Sequence, residues 1–355
     1  MPDHPPPAAD PTFVWLLHQP ASFAWLKREL AVKRPDLRFA FSRPGLTTYK
    51  VDPANVDVPM GSSFARAHGR SLGRAADAAE ALALADGLST ARLRLHVFER
   101  SPDRPADERD PNVAGTRAAN IDRQLRQAGP QRFAESSEAN DGDLVLDVIC
   151  APAEYADDGL FVGWHRHGRG HGPFPGGVPH VWVPATAPSR AWAKIEESIR
   201  WSGLVPRAGE TAVEIGSSPG GASFALLERG LTVHGVDPGV MAPAVRDYLG
   251  AKGNRFVHHA MPAAAVDRRA LPRQFQWLAS DVNLAPMIAL KYVERFVALA
   301  HGGLRGAFIT LKLNDDGVFE ALPSLAQRID RLGAREVRYV QLPSHRSEIV
   351  ALMKW

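Results

Sequence analysis

The stretch VEIGSSPGG, Val213 to Gly221, decides the fold of the C-terminal half of this chain. The residues from Thr211 to Ile215 are apolar and β-branched enough for a buried strand, and ASFALLERG after the turn is typical of a helix that ends at Gly230. The sequence therefore predicts a strand, a tight turn and a helix. In such a unit glycines let a ligand approach the backbone, and the helix N-terminus offers free N–H groups. A nucleotide-like ligand is the first expectation.

Three classes of ligand use this unit, and the residues of the turn separate them. A P-loop for nucleoside triphosphates needs a lysine after its last glycine, and none follows Gly221. A dinucleotide fold needs GxGxxG/A, but Ser218 and Pro219 replace the glycine that contacts the pyrophosphate, which disfavours a nicotinamide-dependent oxidoreductase. The adenosyl group of S-adenosylmethionine remains. Asp237, which ends the next strand, is placed to bind both ribose hydroxyls, and a helix cap at the strand end is the alternative.

Strands and helices alternate after the turn. The strand-like segments are TAVEIG, LTVHGVD, RFVHH, QWLASDV, LRGAFITLKL, REVRYVQL and EIVALMKW. Alternation of this kind predicts an α/β fold with a Rossmann-like, doubly wound parallel sheet. The gap before EIVALMKW is short, which predicts that this last strand is antiparallel.

The N-terminal half has a different pattern. Residues 1–11 are proline-rich and predicted to be disordered. FVWLLH, SFAWLKRELAV, LRFAFS and TTYKV predict a small α+β subdomain over residues 12–55, with Ser22 as the helix N-cap. The helical AADAAEALALAD and VAGTRAANIDRQLRQAG, with the strands RLRLHVFER, DLVLDVICA and LFVGWHR, predict a second α+β region over residues 56–175. The doubly wound domain takes residues 176–355.

A Gly- and Pro-rich segment, HRHGRGHGPFPGGVPHVWVPATAP, predicts a linker between the halves. Its histidines, His165, His167, His171 and His180, raise the alternative of a metal site. Because no cysteine or carboxylate lies among them, we favour a cationic loop and predict no metal. The one cysteine of the chain, Cys150, lies in a strand-like segment, which excludes a disulfide framework and a thiolate metal site.

Composition and charge narrow the class of protein. The net charge is +3, and residues 181–355 carry the basic excess, with 21 Lys and Arg against 16 Asp and Glu. This balance suits a polyanionic partner. No apolar run approaches the roughly 20 residues that span a bilayer, and MPDHPPPAADP lacks the regions of a signal peptide. We expect a cytoplasmic enzyme or binding protein without membrane contact.

The motif EIGSSPGG, with PSRAWAKIEES before it and SDV, TLKL and HRSEIV after it, resembles the FtsJ-like 2′-O-ribose RNA methyltransferases. The resemblance implies S-adenosylmethionine as the cofactor and a Lys–Asp–Lys–Glu catalytic tetrad at Lys194, Asp281, Lys312 and Glu348. The cofactor-binding residues that it implies are Gly216, Ser217, Ser218, Pro219, Gly220, Gly221, Asp237 and Asp281.

The chain is more closely similar to the bacterial 23S rRNA cytidine 2′-O-methyltransferase branch of that family, through PATAPSRAWAKIEE and GVDPGVM. This branch carries a THUMP-type RNA-binding region ahead of its catalytic domain, so the resemblance implies a THUMP-like N-terminal region and 23S rRNA as the partner. The chain departs from the branch at Ala191 and near Ala260, where a polar and an acidic residue are usual. Action on tRNA or another RNA, and a non-catalytic RNA-binding role, stay open as alternatives.

The implied reaction makes its own demands on these residues. Methyl transfer from a sulfonium to a ribose hydroxyl is an in-line displacement, in which the partners are positioned and a proton leaves a very weak acid. A lysine acts as the base only if its pKa is lowered, and we predict that Lys194 lowers the pKa of a partly buried Lys312, the general base. Asp281 and Glu348 would hold the ammonium groups in place.

Overall fold

The computed structural model describes residues 12–89, 91–100, 116–152, 158–313 and 315–355. The described residues divide into two compact units, one that ends at Gly177 and one that begins at Val178. The segment predicted to be disordered, residues 1–11, lies outside the described residues. No helix in the described ranges combines the length and the apolar character needed to cross a membrane.

The first unit is a seven-stranded mixed sheet with the strand order β2-β3-β1-β4-β7-β6-β5. Neighbouring strands are antiparallel except β5 and β6, which are parallel. The mixture of helices and strands confirms the predicted α+β character. Its elements are β1 (Thr12–Leu17), α1 (Phe23–Lys33), β2 (Arg38–Arg43), β3 (Leu46–Val51), β4 (Ala67–Ala75), α2 (Ala78–Leu84), β5 (Arg94–Glu99), α3 (Arg117–Ala128), β6 (Leu144–Cys150) and β7 (Leu160–Arg166).

Strand β4 was not predicted, although it lies at the centre of the first sheet between β1 and β7. Its sequence AHGRSLGRA places glycine, serine and arginine where apolar residues would alternate. A Cβ at Gly69 would lie 2.5 Å from the carbonyl oxygen of Trp164 and 2.9 Å from the Trp15 ring, so the close approach of these groups requires glycine. The predicted boundary between residues 55 and 56 falls between β3 and β4, which both pair with β1.

Two predicted helix starts were wrong in detail. Ser22 precedes α1, but its buried hydroxyl has no hydrogen-bond partner, so it does not cap the helix through its side chain. The second helix begins at Ala78 rather than Ala75, because Asp77 caps it by accepting a hydrogen bond from the Glu80 amide at 2.9 Å.

The two faces of the first sheet are covered differently. Helices α2 and α3 pack on one face, where side chains such as Leu125 and Leu146 form a buried apolar cluster. The other face carries Trp15 and Phe98 and is covered by the segment 167–177, which was predicted to be part of a cationic linker between the halves. The prediction of a linker was wrong for this part, because the segment packs on the sheet and His165, His167 and His171 are buried.

The second unit is a seven-stranded sheet with the order β10-β9-β8-β11-β12-β14-β13. Strands β8 to β12 are parallel where they pair, and β14 is inserted antiparallel between β12 and β13. The predicted doubly wound sheet with an antiparallel last strand is confirmed. Its elements are α4 (Ala191–Ser202), β8 (Thr211–Ile215), α5 (Gly221–Glu228), β9 (Thr232–Val236), α6 (Pro243–Arg246), β10 (Phe256–His259), β11 (Trp277–Ser280), α7 (Pro286–Leu299), β12 (Gly306–Lys312), α8 (Asp316–Asp330), β13 (Glu336–Val340) and β14 (Glu348–Lys354).

The register of this sheet brings several strand ends to one edge. Ser280 of β11 pairs with Ile215 of β8 and Ile309 of β12, so β8 and β11 end together and β12 continues beyond them to Lys312. Lys312, the last residue of β12, pairs with Glu348, the first residue of β14. In open α/β sheets the active crevice lies at this carboxyl edge.

Candidate active site

Four charged side chains meet at the carboxyl edge of the second sheet. Lys194 lies in the first turn of α4, Asp281 directly follows β11, Lys312 ends β12 and Glu348 begins β14. The Lys194 Nζ lies 2.9 Å from Asp281 Oδ2 and 2.6 Å from Glu348 Oε2. The Lys312 Nζ lies 3.2 Å from Asp281 Oδ1 and 2.7 Å from Glu348 Oε1. Each ammonium thus contacts both carboxylates, and we call this group the tetrad.

The electrostatics of the tetrad differ from the prediction. Burial alone would raise the pKa of Asp281, but Lys194 and Lys312 outweigh burial and hold that pKa below its ordinary value. Burial would lower the pKa of Lys312, but Asp281 and Glu348 outweigh it and the pKa lies above its ordinary value. The predicted lowering of the Lys312 pKa by Lys194 was therefore wrong, because the carboxylates lie between the two ammonium groups. Lys312 is protonated in the free site.

Two further titratable residues at this site were not predicted. Glu214 of β8 is buried and accepts a hydrogen bond from the Ser223 hydroxyl. Burial raises the pKa of Glu214 to about 8, and the negative charge of Asp281 adds to this effect. His345 is also buried, and burial with the nearby Lys194 charge lowers its pKa to about 4. The sequence held a signal for each residue. Glu214 is an acidic residue inside an apolar strand, and His345 lies three positions before the tetrad glutamate.

The glycine turn packs against the elements that carry the tetrad. Gly216 and Gly220 have φ of +80° and +118°, which favour glycine. A Cβ at Gly216 would lie 2.6 Å from Val282 Cγ1, and one at Gly221 would lie 2.2 Å from Ser189 Oγ. Because these two glycines have no side chains, the turn can pack closely against the loop after β11, which holds Asp281, and against the start of α4, which holds Lys194.

The other residues predicted to bind the cofactor serve the local structure of the turn. Ser217 is buried, the Ser218 hydroxyl donates to the Val240 carbonyl oxygen at 2.8 Å, and the peptide bond from Ser218 to Pro219 is cis. One carboxylate oxygen of Asp237 accepts from the amide two residues later at 2.6 Å. This contact is a strand-end turn, close to the alternative that the sequence left open for Asp237.

A cleft of about 310 Å³ joins the turn to the tetrad. It is lined by Gly216, Ser217 and Ser218 on one side and by Lys194, Asp281, Arg346 and Glu348 on the other. Among the predicted site residues that the structure describes, Pro219, Gly220, Asp237 and Lys312 do not line it. The size is at the lower end of the roughly 300–1,000 Å³ that small-molecule sites occupy.

Comparisons with known proteins agree with this geometry. Residues 187–315 match the family of FtsJ-like methyltransferases. The chain is 33% identical over 182 residues to ribosomal RNA large subunit methyltransferase M of Halorhodospira halophila. The aligned residues make up 50% of this chain and 50% of that relative. It is 27% identical over 302 residues to the protein of the same name from Methylococcus capsulatus. These aligned residues make up 76% of this chain and 81% of that relative. The chain spans about half the length of the first curated relatives that it matches.

Similarity to solved structures is weaker. A putative ribosomal RNA methyltransferase from Plasmodium falciparum has a TM-score of 0.34 and 16% identity, and the similarity covers 47% of this chain and 96% of that one. The family match includes the glycine turn and the first three residues of the tetrad, while Glu348 lies beyond it. The second unit therefore contains an FtsJ-like methyltransferase domain.

Proposed function

We propose that this protein is an S-adenosylmethionine-dependent RNA 2′-O-ribose methyltransferase that acts on a cytidine of 23S rRNA in the cytoplasm. The observation that carries the proposal is the assembly of two lysines and two carboxylates in mutual contact, three of them lining the cleft that begins at the glycine turn. The name of the curated relatives, ribosomal RNA large subunit methyltransferase M, supports the choice of RNA.

The chemistry of the cleft fits the cofactor. The turn has no lysine to bind a nucleoside triphosphate, and its glycines expose backbone at the N-terminus of α5. Residues Gly216 to Gly221 and Asp237 would hold the adenosyl group, and the Asp281 carboxylate would favour the positive sulfonium. When bound, S-adenosylmethionine supplies the methyl group as an electrophile.

Lys312 is the general base of the proposed mechanism, although the free tetrad keeps it protonated. The attraction of Asp281 and Glu348 raises its pKa, while burial lowers it. A ribose hydroxyl that enters the tetrad and displaces Lys312 from one carboxylate removes part of that attraction and leaves burial in place. The pKa of Lys312 then falls, Lys312 releases one proton to the solvent, and its neutral Nζ can accept the proton of the 2′-hydroxyl as the oxygen bonds to the methyl group. The Lys194 ammonium stabilises the negative charge that develops on the oxygen.

The variant Lys312→Arg tests this role. Arginine keeps the positive charge but does not release a proton near neutral pH. We expect methyl transfer to fall ~10²–10⁴-fold, the usual cost of losing a general base, with unchanged affinity for S-adenosylmethionine in calorimetry. Lys354→Arg, at an exposed position of β14, is the matched control. A Lys312→Arg enzyme with native rates would show that the lysine acts only by charge.

The substrate is tested separately. Total RNA from cells with and without the protein is digested, and methylated riboses are mapped by mass spectrometry. A methylated cytidine of 23S rRNA that disappears without the protein is expected. A lost methyl group on tRNA would support the alternative substrate, and no change in any RNA would support a non-catalytic RNA-binding role. The complete tetrad disfavours that last alternative. We expect that the chemical step of methyl transfer needs no metal.

We further propose that the N-terminal half binds the RNA. In this proposal residues 12–55 and 56–175 form the small subdomain and the THUMP-like region, and residues 176–355 form the methyltransferase domain. Cations over aromatic rings support it: the Lys27 Nζ lies 5.3 Å from the ring of the exposed Phe39. Such pairs suit stacking with bases and contact with phosphates. RNA affinity should fall with salt, because phosphate contacts release counterions.

A further inference from the structure

A second group of titratable side chains lies inside the first unit. His96 of β5, Asp147 of β6 and His165 of β7 come from three adjacent strands and are each at most 5% exposed. His96 pairs directly with Asp147, and Asp147 pairs with Gly163 of β7. Because Gly163 has no side chain, His165, the next residue on the same face of β7, reaches Asp147. The sheet therefore places two imidazoles and a carboxylate together on the face that α2 and α3 leave uncovered.

The hydrogen bonds of this group leave two acceptors facing each other. The His96 Nε2 lies 2.8 Å from the Ser137 carbonyl oxygen, which can only accept, so this nitrogen carries the hydrogen. The Nδ1 of a neutral His96 then carries a lone pair, and it faces Asp147 Oδ1 at 3.7 Å. Burial lowers the pKa of His96 to about 4, so a second proton on the ring does not resolve the contact near neutral pH. Either a hydrogen on Asp147 or a bound cation has to lie between these two atoms.

Neighbouring polar atoms also point to an occupant. Within the described part of the chain, His165 Nε2, His171 Nδ1 and Trp15 Nε1 are buried and have no hydrogen-bond partner. The His171 ring stacks on His165 with centroids 4.2 Å apart, and its Nε2 lies 2.9 Å from the His68 carbonyl oxygen. The His171 Nδ1 is therefore a lone-pair acceptor beside the same group. Buried polar groups are rarely left without partners unless water or an ion completes them.

We propose that His96, Asp147 and His165 bind a divalent transition metal ion of the Zn²⁺ class. Their ligand atoms all lie within 4.8 Å of one another. Tetrahedral Zn²⁺ with bonds of about 2.0–2.2 Å holds its ligands roughly 3.4 Å apart, close to the distance between the His96 nitrogen and the Asp147 oxygen. Two imidazoles with a carboxylate are a zinc-type set, whereas Mg²⁺ and Ca²⁺ prefer oxygen alone.

The metal would replace the contact between two hydrogen-bond acceptors, His96 Nδ1 and Asp147 Oδ1, by bonds to the cation. The facing lone pairs of His96 and Asp147 would both bind the cation, and His165 would turn from its 2.6 Å hydrogen bond with Asp147 Oδ2 to a shared ligand position. Three protein ligands leave the fourth position to water or to the nearby His171. The ion would tie β5, β6 and β7 together under the segment 167–177, a structural role in the first unit that is separate from methyl transfer.

Metal titration of the full chain tests the site. The protein, without a histidine tag, is stripped with a chelator and titrated with Zn²⁺ in a calorimeter and with Co²⁺, whose visible absorption reports tetrahedral ligation. We expect one tight site. Asp147→Asn, which keeps the size and the acceptor oxygen, and His96→Gln should each weaken binding at least ~100-fold, since even outer-shell changes cost 10–100-fold. His301→Asn, at an exposed position of the second unit, should bind the metal like the wild type.

The outcomes distinguish a bound metal ion from a metal-free site with a protonated Asp147. Circular dichroism shows whether each variant folds, and the stripped wild-type protein remains a test if a variant does not. A folded wild type that binds neither Zn²⁺ nor Co²⁺ would overturn the proposal and leave a neutral, protonated Asp147 that donates to His96 Nδ1 as the explanation of the contact. Tight binding that survives both Asp147→Asn and His96→Gln would place the metal elsewhere and overturn it as well.

Discussion

Replacing Lys312 by methionine removes one of the two cations of the tetrad and leaves Asp281 and Glu348 to share Lys194. The side chains of the tetrad are 14–17% exposed, so water reaches the stranded carboxylates only in part. Removing the partner of a charged, mostly buried group lowers the free energy of unfolding by about 1–3 kcal/mol. Removing one partner of a fully buried ion pair lowers it by about 3–5 kcal/mol. With this partial exposure we expect the C-terminal sheet to lose about 2 kcal/mol at pH 7.

The loss should depend on pH in a defined direction. The lysines hold the folded-state pKa of Asp281 below its ordinary value, so Asp281 stabilises the fold above its unfolded pKa of about 3.9. That contribution disappears as the pH falls through the lower, folded-state pKa. Lys312→Met raises the folded-state pKa of Asp281. The difference in the free energy of unfolding between the variant and the wild type should therefore be largest at pH 7 and should shrink as the pH falls below about 4.

Hydrogen exchange of peptides from β12 and β14, measured across a urea series at pH 7 and pH 3.5, reports the opening of this sheet. Lys354→Met, also on β14 but exposed, is the control and should change stability by less than about 0.5 kcal/mol. Equal destabilisation at both pH values would show that Lys312 acts through packing and not through charge. No destabilisation at pH 7 would refute the reasoning from the ion pairs.

Three other changes follow from the same site. Gly221→Ala should cost about 1–3 kcal/mol in urea unfolding and slow methyl transfer, because its Cβ would lie 2.2 Å from Ser189 Oγ. Gly317→Ala, at an exposed position near the start of α8, should change stability by less than about 1 kcal/mol, because its Cβ would meet only the exposed Asp315 carboxylate, at 3.1 Å. Glu214→Gln should flatten the stability profile between pH 5 and 8. With a pKa raised from 4.5 to about 8, the Glu214 carboxyl keeps its proton in the folded state while the unfolded state releases it, so wild-type stability falls as the pH rises across that range; parallel wild-type and variant profiles would contradict this. Asp237→Ala should weaken S-adenosylmethionine binding in calorimetry, and binding of NAD instead would contradict the cofactor.

The second sheet could be predicted because its strands are buried on both faces and therefore form nearly continuous apolar runs in the sequence. Even the antiparallel β14 was predictable from the short connection before it. Strand β4 could not be predicted in this way, since its centre is filled by the Trp15 ring from a neighbouring strand and its own residues are glycine, serine and arginine. The information that makes it a strand lies in β1 and β7.

The tetrad residues were identified through the resemblance to the FtsJ-like methyltransferases, and the alternation of strands and helices agrees with it, because each residue stands near a strand or helix end. The direction of the Lys312 pKa was not predictable, because it depends on which carboxylate oxygen faces which ammonium. The buried group in the first unit left even less signal. His96 and Asp147 lie in ordinary strands, about 50 residues apart in the chain, and only the pairing of β5 with β6 brings a carboxylate to the histidines of the segment that was predicted to be a linker.

The position of β14 between β12 and β13 has a consequence for synthesis. A ribosome makes the chain from the N-terminus, so β13 exists before the strand that joins it to the rest of the sheet. Until β14 emerges, the nascent domain has an open gap beside β12, and Lys194, Asp281 and Lys312 can gather without Glu348. The half-made domain carries an excess of positive charge at that edge. A newly made chain would therefore gain its fourth tetrad residue and join β13 to the sheet in the same step.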